Sequence, residues 1–245
     1  MELSTKEQKE YVGIPVGDKR IGFYVPNGPC LYRALTMKTK EPWTLEWIDT
    51  FTKGDIFWDI GANVGVYSIY AAVIKQSQVF AFEPEAANFN VLNENIRVNG
   101  VADLVKAYCI AISDRHGFDH LNLCKIETAA SGHQINNLIR QPSSLAFVQG
   151  CVTYTLDQLS EYIPIPTHIK IDVDGVEPLI VNGGLRHVLP KVKSLMIELD
   201  DNIPLHVELI NRLNDQGLKT VPEVADRSTH KDGPFKGVGE HLFTR

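Results

Sequence analysis

The stretch Ile56-Phe57-Trp58-Asp59-Ile60-Gly61-Ala62-Asn63-Val64-Gly65 decides the fold. Its first five residues form a short, nearly continuous apolar run, the pattern of a strand buried on both faces. Gly61 and Gly65 let the backbone turn tightly and approach a ligand with no side chain between. Val64 to Lys75 predicts a helix whose first N–H groups face that turn, where a polar ligand is held. Asp59 ends the strand with a carboxylate placed to act on an ammonium group, directly or through water. The third glycine of G-x-G-x-x-G is missing, so a dinucleotide pyrophosphate is not the natural ligand.

Outward from this turn, strand and helix patterns alternate. Gln78–Phe82 reads as a strand, Ala86–Val98 as a helix closed by Asn99-Gly100, and Val105–Ile112 as a third strand. Residues 119–124 and 148–155 look like strands flanking a polar segment with Ser131-Gly132-His133 and Gln141-Pro142-Ser143-Ser144. The alternation resumes with strand His168–Asp172, helix Gly175–Leu189, strand Ser194–Leu199 and helix Pro204–Gln216. Leu218–Val221 and Gly239–Phe243 close the sheet as a late pair. The whole predicts an α/β fold, a mostly parallel sheet with an antiparallel closing strand and helices on both faces. Such sheets bind ligands at the carboxyl ends of their strands, here Asp59, Glu83, Ile112, Asp172 and Leu199.

On the N-terminal side, residues 11–35 suggest a hairpin or cap. Trp43 to Phe51 reads as a helix, with Trp43, Trp47, Ile48 and Phe51 on one face, ended by Lys53-Gly54. The expected division is a cap segment over residues 1–53 and a catalytic domain over 54–245. The polar first ten residues are expected to fray.

Composition bounds the function. Across 245 residues, 24 Lys+Arg stand against 30 Asp+Glu, a net charge of −6, with 44 % hydrophobic and 22 % charged residues. This is ordinary globular usage and excludes a mostly disordered chain. The acidic balance argues against a nucleic-acid partner, which would meet a basic patch. No apolar run reaches the roughly 18 residues of a membrane span, and the charged start lacks the apolar stretch of a secretory signal. Cys30, Cys109, Cys124 and Cys151 are scattered without a Cys-x-x-Cys pair, which reads as a reduced, cytoplasmic chain with cysteines as small buried hydrophobes.

Glu83 lies at the end of the next strand, in Phe80-Ala81-Phe82-Glu83-Pro84, and Pro84 stops that strand because it has no N–H. A carboxylate here accepts hydrogen bonds from both hydroxyls of a ribose. The glycine turn, Asp59 and Glu83 together favour a ribonucleoside bearing an amino group and no pyrophosphate.

Several motifs occur in a familiar order: Asp59-Ile60-Gly61-Ala62-Asn63-Val64-Gly65; Phe82-Glu83-Pro84 with Asn95-Ile96-Arg97-Val98-Asn99-Gly100; Thr155-Leu156-Asp157; and Ile169-Lys170-Ile171-Asp172-Val173-Asp174-Gly175-Val176-Glu177. Over roughly residues 54–199 the chain resembles the FkbM family of S-adenosylmethionine-dependent methyltransferases. The resemblance implies a Rossmann-like class I methyltransferase sheet and S-adenosylmethionine as donor, with S-adenosylhomocysteine as product. It also implies a hydroxyl acceptor on a sugar, glycan or secondary metabolite. By position, Asp59, Gly61, Ala62, Asn63 and Gly65 would surround the methionine part of the donor and Glu83, followed by Pro84, its ribose. Ile112 and Ser113, or Asp114, would meet the adenine.

The acidic cluster after the fourth strand is the candidate catalytic region. Asp174 and Glu177 have capping-box spacing, Asp174 at the N-cap of the next helix. Asp172 ends its strand and is not explained by capping. Methyl transfer to a hydroxyl gains from aligning the oxygen and removing its proton, so Asp172 and Glu177 are the first candidates, with Asp172 also near the donor. Lys170 is a neighbour that opposes a raised carboxylate pKa, and Glu198 and Asp200 come next. Asp172, Asp174 and Asp200 are oxygen ligands suited to Mg²⁺, but the family is not typically metal-dependent and a metal is not expected. His116, His120 and His133 lie in or near the irregular segment, within reach of the acceptor site, and His241 in the closing strand is within reach of the ligand face, but each histidine reads first as structural. Tyr32 and Arg33 are placed to cover the acceptor. Two other readings share the fold: a nicotinamide oxidoreductase and a noncatalytic nucleoside-binding module.

Overall fold

The computed structural model describes residues 10–135 and 145–245; the start Met1–Lys9 and the Gln141–Ser144 stretch lie outside them. The N-terminal part is an antiparallel hairpin, β1 (Tyr11–Val16) and β2 (Lys19–Tyr24), then two short helices, α1 (Gly28–Leu35) and α2 (Pro42–Asp49). Asn27 caps α1 by accepting the Cys30 N–H at 2.9 Å, and a proline opens each helix, where no backbone donor is needed.

The alternation begins with β3 (Ile56–Ile60) and α3 (Val66–Tyr70), which widens into a π-type turn over Ala71–Lys75. Next come β4 (Gln78–Phe82), α4 (Ala86–Val98) and β5 (Val105–Tyr108). The middle of the chain holds β6 (Ala111–Ile112), β7 (Gly117–Leu123), β8 (Gln134–Ile135), β9 (Phe147–Tyr154) and α5 (Leu156–Leu159). The chain then runs through β10 (His168–Ile171), α6 (Glu177–Asn182), β11 (Ser194–Asp200), α7 (Pro204–Asp215), β12 (Lys219–Val221), α8 (Pro222–Ser228) and β13 (Val238–Thr244).

Seven strands form the main sheet in the order β12-β13-β11-β10-β3-β4-β5. All neighbours are parallel except β13, which runs antiparallel to β11 and β12. The chain lays β3, β4 and β5 outward, then returns to the other side of β3 with β10. Strand order therefore reverses between β3 and β10, and a crevice opens at their carboxyl ends. Alternate residues point to opposite faces. Phe57, Val79 and Ala81 pack with α3, α4 and the N-terminal Ile21, Phe23, Trp47 and Phe51. Trp58, Ile169 and Ile197 pack with Leu156, Ile180, Leu209 and Leu213 on the other face.

Three expectations change. The apolar run Val105–Ile112 is two strands: β5 ends at Tyr108, and Ala111–Ile112 leave the main sheet to pair with Thr153 and Tyr154 of β9. The run stays apolar across the break because Ala111 and Ile112 are buried again in a second sheet, ordered β6-β9-β7-β8. The helix expected over Gly175–Leu189 is only Glu177–Asn182, since Gly183 and Gly184 end it where the chain presses on Ser113 and Leu156. Of the cysteines only Cys30 is buried; Cys109 is exposed and Cys124 and Cys151 lie between.

The N-terminal segment is anchored to the amino ends of β10 and β11. Trp47 Nε1 donates to Ser194 Oγ at 2.8 Å, and that hydroxyl meets His168 Nδ1 at 2.7 Å. His168 Nε2 meets Asp55 at 3.2 Å, and Phe51 stacks on the imidazole with centroids 3.9 Å apart. Among the described residues no helix is long and apolar enough to cross a membrane.

Candidate functional site

A cavity of about 510 Å³ occupies the crevice at the carboxyl ends of β3, β4, β10 and β11, with Tyr32, Arg33 and Thr36 of the α1 region on its outer wall. Its size is that of a pocket for a ligand of nucleoside size or larger. Arg33 Nε donates to Ala129 O at 2.8 Å and Asn27 Nδ2 to Thr128 O at 3.0 Å, which pins α1 over the opening.

One end of the cavity is built by the glycine turn and the end of β4. Gly61 and Ala62 both donate to Phe82 O at 3.0 Å, which folds the turn against β4. Asn63 adopts a left-handed φ of +50°, aims its N–H at Glu83 Oε2 at 2.7 Å, and accepts the Val64 N–H on its own side-chain oxygen. Glu83 Oε1 receives the Glu85 N–H at 2.8 Å. Each carboxylate oxygen thus spends one acceptor position on the backbone and keeps another. Glu83 is 5 % exposed. Burial pushes its carboxyl up to about 7, outweighing the pull of the Glu85 and Asn63 N–H groups. Gly61, Ala62, Asn63, Glu83, Pro84 and Ile112 all reach the wall here.

Three expected site residues stand elsewhere. Asp59 is turned into the protein, 1 % exposed, where it accepts the Ser68 hydroxyl at 2.5 Å; burial first, and Asp172 further on, raise its carboxyl to about 6 against the pull of Lys170. Gly65 serves packing: with φ +84°, a Cβ on it would lie 2.3 Å from Leu92 Cδ1 of α4. Ser113 is buried outside the cavity wall, its N–H donated to Tyr154 O at 2.9 Å and its hydroxyl 3.3 Å from Asp114. The division of the third strand moved it there.

The other end, at β10 and β11, is acidic. Asp172, Asp174, Glu177, Glu198 and Asp200 line it, with Glu41 from the start of α2. The capping-box expectation for Asp174 and Glu177 does not hold. The N-cap is Val176 and Glu177 is the first helical residue, because Asp174 adopts φ +63° and binds the Gly132 N–H at 2.6 Å. Glu177 Oε1 instead folds back on the loop, accepting from Gly175 at 3.1 Å and Val173 at 3.4 Å, while Oε2 faces His206 Nε2 at 3.4 Å. His206 Nδ1 accepts the Asp200 N–H at 3.0 Å, so one imidazole ties the ends of β10 and β11 together. Burial raises Glu177 to about 7 and Asp174 to about 6, with neighbouring carboxylates adding to both.

Beneath this end lies Lys170, 1 % exposed, with Nζ 2.8 Å from Asp172, 3.4 Å from Glu240 and 4.0 Å from Glu41, and 5.1 Å from the centroid of the Tyr67 ring. Burial alone would lower its pKa, but Asp172, Glu240 and Glu41 hold it well above the usual value. Glu41 also receives the Tyr67 hydroxyl at 2.6 Å and pairs with Lys40. Burial works against its ionisation, yet Lys170 and Lys40 bring the carboxyl down to about 2. Glu41, Asp172 and Glu240 offer oxygens within 4.8 Å of one another, a spacing open to a cation, and Lys170 is the cation that reaches all three. Glu41, Tyr67 and Glu240 carry no signal in the sequence, since they come from three distant segments. Among the histidines, His133, His206 and His230 reach the wall.

The family model described as the methyltransferase FkbM domain matches residues 59–219, more than half of the chain. No curated protein matches it at a significant level. The structure of a methyltransferase FkbM from Methylobacillus flagellatus KT is similar with a TM-score of 0.53 and 14 % identity, over 80 % of this chain and 44 % of that one. This chain thus spans less than half of that protein. An rRNA methylase from Streptococcus thermophilus is similar with a TM-score of 0.50 and 8 % identity, over 83 % of this chain and 94 % of that one. At these identities the likeness is one of fold.

Proposed function

Because the chain belongs to the FkbM methyltransferase family, we propose that it transfers the methyl group of S-adenosylmethionine to a hydroxyl of a carbohydrate or secondary metabolite. The observation that carries this reading is Glu83, a buried carboxylate in the cavity wall with an acceptor position left on each oxygen. Two vicinal ribose hydroxyls match those two positions. The backbone of Gly61, Ala62 and Asn63 borders the same space, and Pro84 and Ile112 give the apolar wall that an adenine takes. The residues therefore suit the donor.

When bound, the donor would supply an electrophilic methyl on a sulfonium, which the acceptor oxygen would take in line as the carbon–sulfur bond breaks and neutral S-adenosylhomocysteine leaves. Asp172 is the group we assign to that oxygen. One of its carboxylate oxygens is held by Lys170 at 2.8 Å, which fixes the side chain and leaves the other to accept the hydroxyl proton. Glu177 acts through the loop, holding the Val173 and Gly175 N–H groups and so setting where Asp172 and Asp174 stand. Ser113 and Asp59 have no direct part in this scheme. Residues 1–53 form the cap in this reading and 54–245 the catalytic domain; the cap contributes Glu41 and the outer wall at Tyr32 and Arg33.

An RNA acceptor, the substrate named for the Streptococcus thermophilus protein, is disfavoured by the net charge of −6 and by the carboxylates of the wall, which repel phosphodiesters. The test is transfer of a labelled methyl from S-adenosylmethionine to a panel of sugars, glycans and hydroxylated metabolites, with RNA as a further arm. Label on a hydroxyl oxygen supports the reading. Label on RNA alone, or none on any acceptor by a chain that binds the donor, contradicts it.

A further inference from the structure

Arg33 brings to the cavity a cation that the scheme above does not use. It stands in the last turn of α1, half-buried, and borders the cavity. Its guanidinium carries five N–H donors and stays charged. Nε donates to Ala129 O at 2.8 Å, and among the described residues neither Nη group has a hydrogen bond or ion pair. The neighbouring carboxylates do not claim it. Its charge is close enough to pull the Glu83 and Asp174 carboxyls down against the burial that raises them. Yet Glu83 is held by the Asn63 and Glu85 N–H groups, and Asp174 by the Gly132 N–H. Of the lysines in the wall, Lys40 is engaged by Glu41 and Lys125 is exposed.

The segment that holds Arg33 is also tied to the glycine turn. Ala129 is buried with a left-handed φ of +69°, a conformation uncommon for a residue with a side chain. Its N–H reaches Asn88 Oδ1 at 2.6 Å. Its carbonyl accepts from Arg33, and the next one, Ala130 O, accepts from Asn63 Nδ2 at 2.9 Å. Two consecutive carbonyls thus join the Arg33 guanidinium to the turn assigned to the methionine part of the donor. That part carries a carboxylate, the one anionic group of the donor, and a hydroxyl acceptor brings none. A guanidinium meets a carboxylate through two parallel N–H bonds.

We propose that Arg33 binds the α-carboxylate of the donor through its Nη groups, rather than covering the acceptor. The inference rests on the methyltransferase reading above and gives a partner to a donor group that Glu83 and the glycine turn leave unmatched. The carboxylate keeps its charge during transfer, so the contact anchors the donor equally before and in the transition state.

The test compares S-adenosylhomocysteine with its decarboxylated analogue, which keeps the amine and the nucleoside, by calorimetry on the parent chain and on Arg33→Met. The parent is expected to bind S-adenosylhomocysteine at least about tenfold more tightly, the worth of a hydrogen bond between charged groups. In Arg33→Met that preference shrinks to about threefold or less, with the affinity for the analogue not weakened. Should that variant fail to fold, Arg33→Gln provides the second comparison, with the same expected loss of preference. A residue that only pinned Ala129 would weaken both probes alike when replaced, and the preference would persist. That result overturns the carboxylate assignment while leaving the donor site standing, as does a smaller preference in the parent. Failure of the folded parent to bind either probe overturns the assignment and the methyltransferase reading together.

Discussion

Gly61 and Asp172 touch through their backbones: a Cβ placed on Gly61 would lie 1.9 Å from the carbonyl oxygen of Asp172. The turn after β3 and the end of β10 therefore approach as closely as a glycine permits. That contact brings the glycine-turn end and the acidic end of the cavity side by side. Gly61 also holds φ +80°, a conformation that favours glycine.

Gly61→Ala is accordingly expected to cost about 1–3 kcal/mol from the backbone conformation alone, with more added by displacement of β10. Urea denaturation should show the lowered midpoint. Titration with S-adenosylhomocysteine should show affinity lost along with it, because Ala62 and Asn63 move with the turn.

Glu83→Gln tests the ribose assignment with less disturbance than Glu83→Ala, which would strip the Asn63 and Glu85 N–H groups of their acceptor. A hydrogen bond to a charged group is worth about 1.5–3 kcal/mol, so the expected weakening for S-adenosylhomocysteine is about 10- to 100-fold. Unchanged affinity in a folded variant removes Glu83 from the donor site.

The same carboxyl predicts a pH dependence. Its pKa of about 7 in the free chain means that it is largely protonated below neutrality. Accepting two ribose hydroxyls favours the ionised form, so binding lowers the pKa and releases a proton. Affinity should therefore rise as pH goes from 6 to 8, by up to about tenfold per unit on the acid side of 7, and level off above. Calorimetry in buffers of different ionisation enthalpy should record the released proton, and Glu83→Gln should abolish both effects.

Lys170→Met removes the ammonium shared by Asp172, Glu240 and Glu41. Breaking a buried ion pair from one side costs about 3–5 kcal/mol, and a loss of that order is expected in chemical denaturation. The carboxylates left behind bind protons more tightly in the folded than in the unfolded chain. The variant's deficit should therefore shrink as pH falls and grow as it rises. A deficit independent of pH would show that the lysine's role is packing alone.

The division between what the sequence reveals and what it hides follows the range of the interactions. The β3 turn and Glu83 at the end of β4 are legible because each rests on a few neighbouring residues with a fixed periodicity. The sheet and its antiparallel closing strand follow from repeats of that same pattern, and the FkbM resemblance from the order of a few short motifs. The Lys170 cluster is not legible, since positions 41, 67, 172 and 240 meet only once strand order and the cap are in place. Asp174 misleads for a related reason: its spacing to Glu177 suits a cap, but the Gly132 N–H from a distant loop takes its carboxylate. Ser113 misleads because an apolar run shows burial without showing into which sheet.

Calorimetric titration of the purified chain with S-adenosylhomocysteine tests the central claim most directly. One-to-one binding in the micromolar range, weakened by Glu83→Gln, is the predicted result. Absence of binding by a chain that melts cooperatively would contradict the assignment of this cavity to a methyl donor.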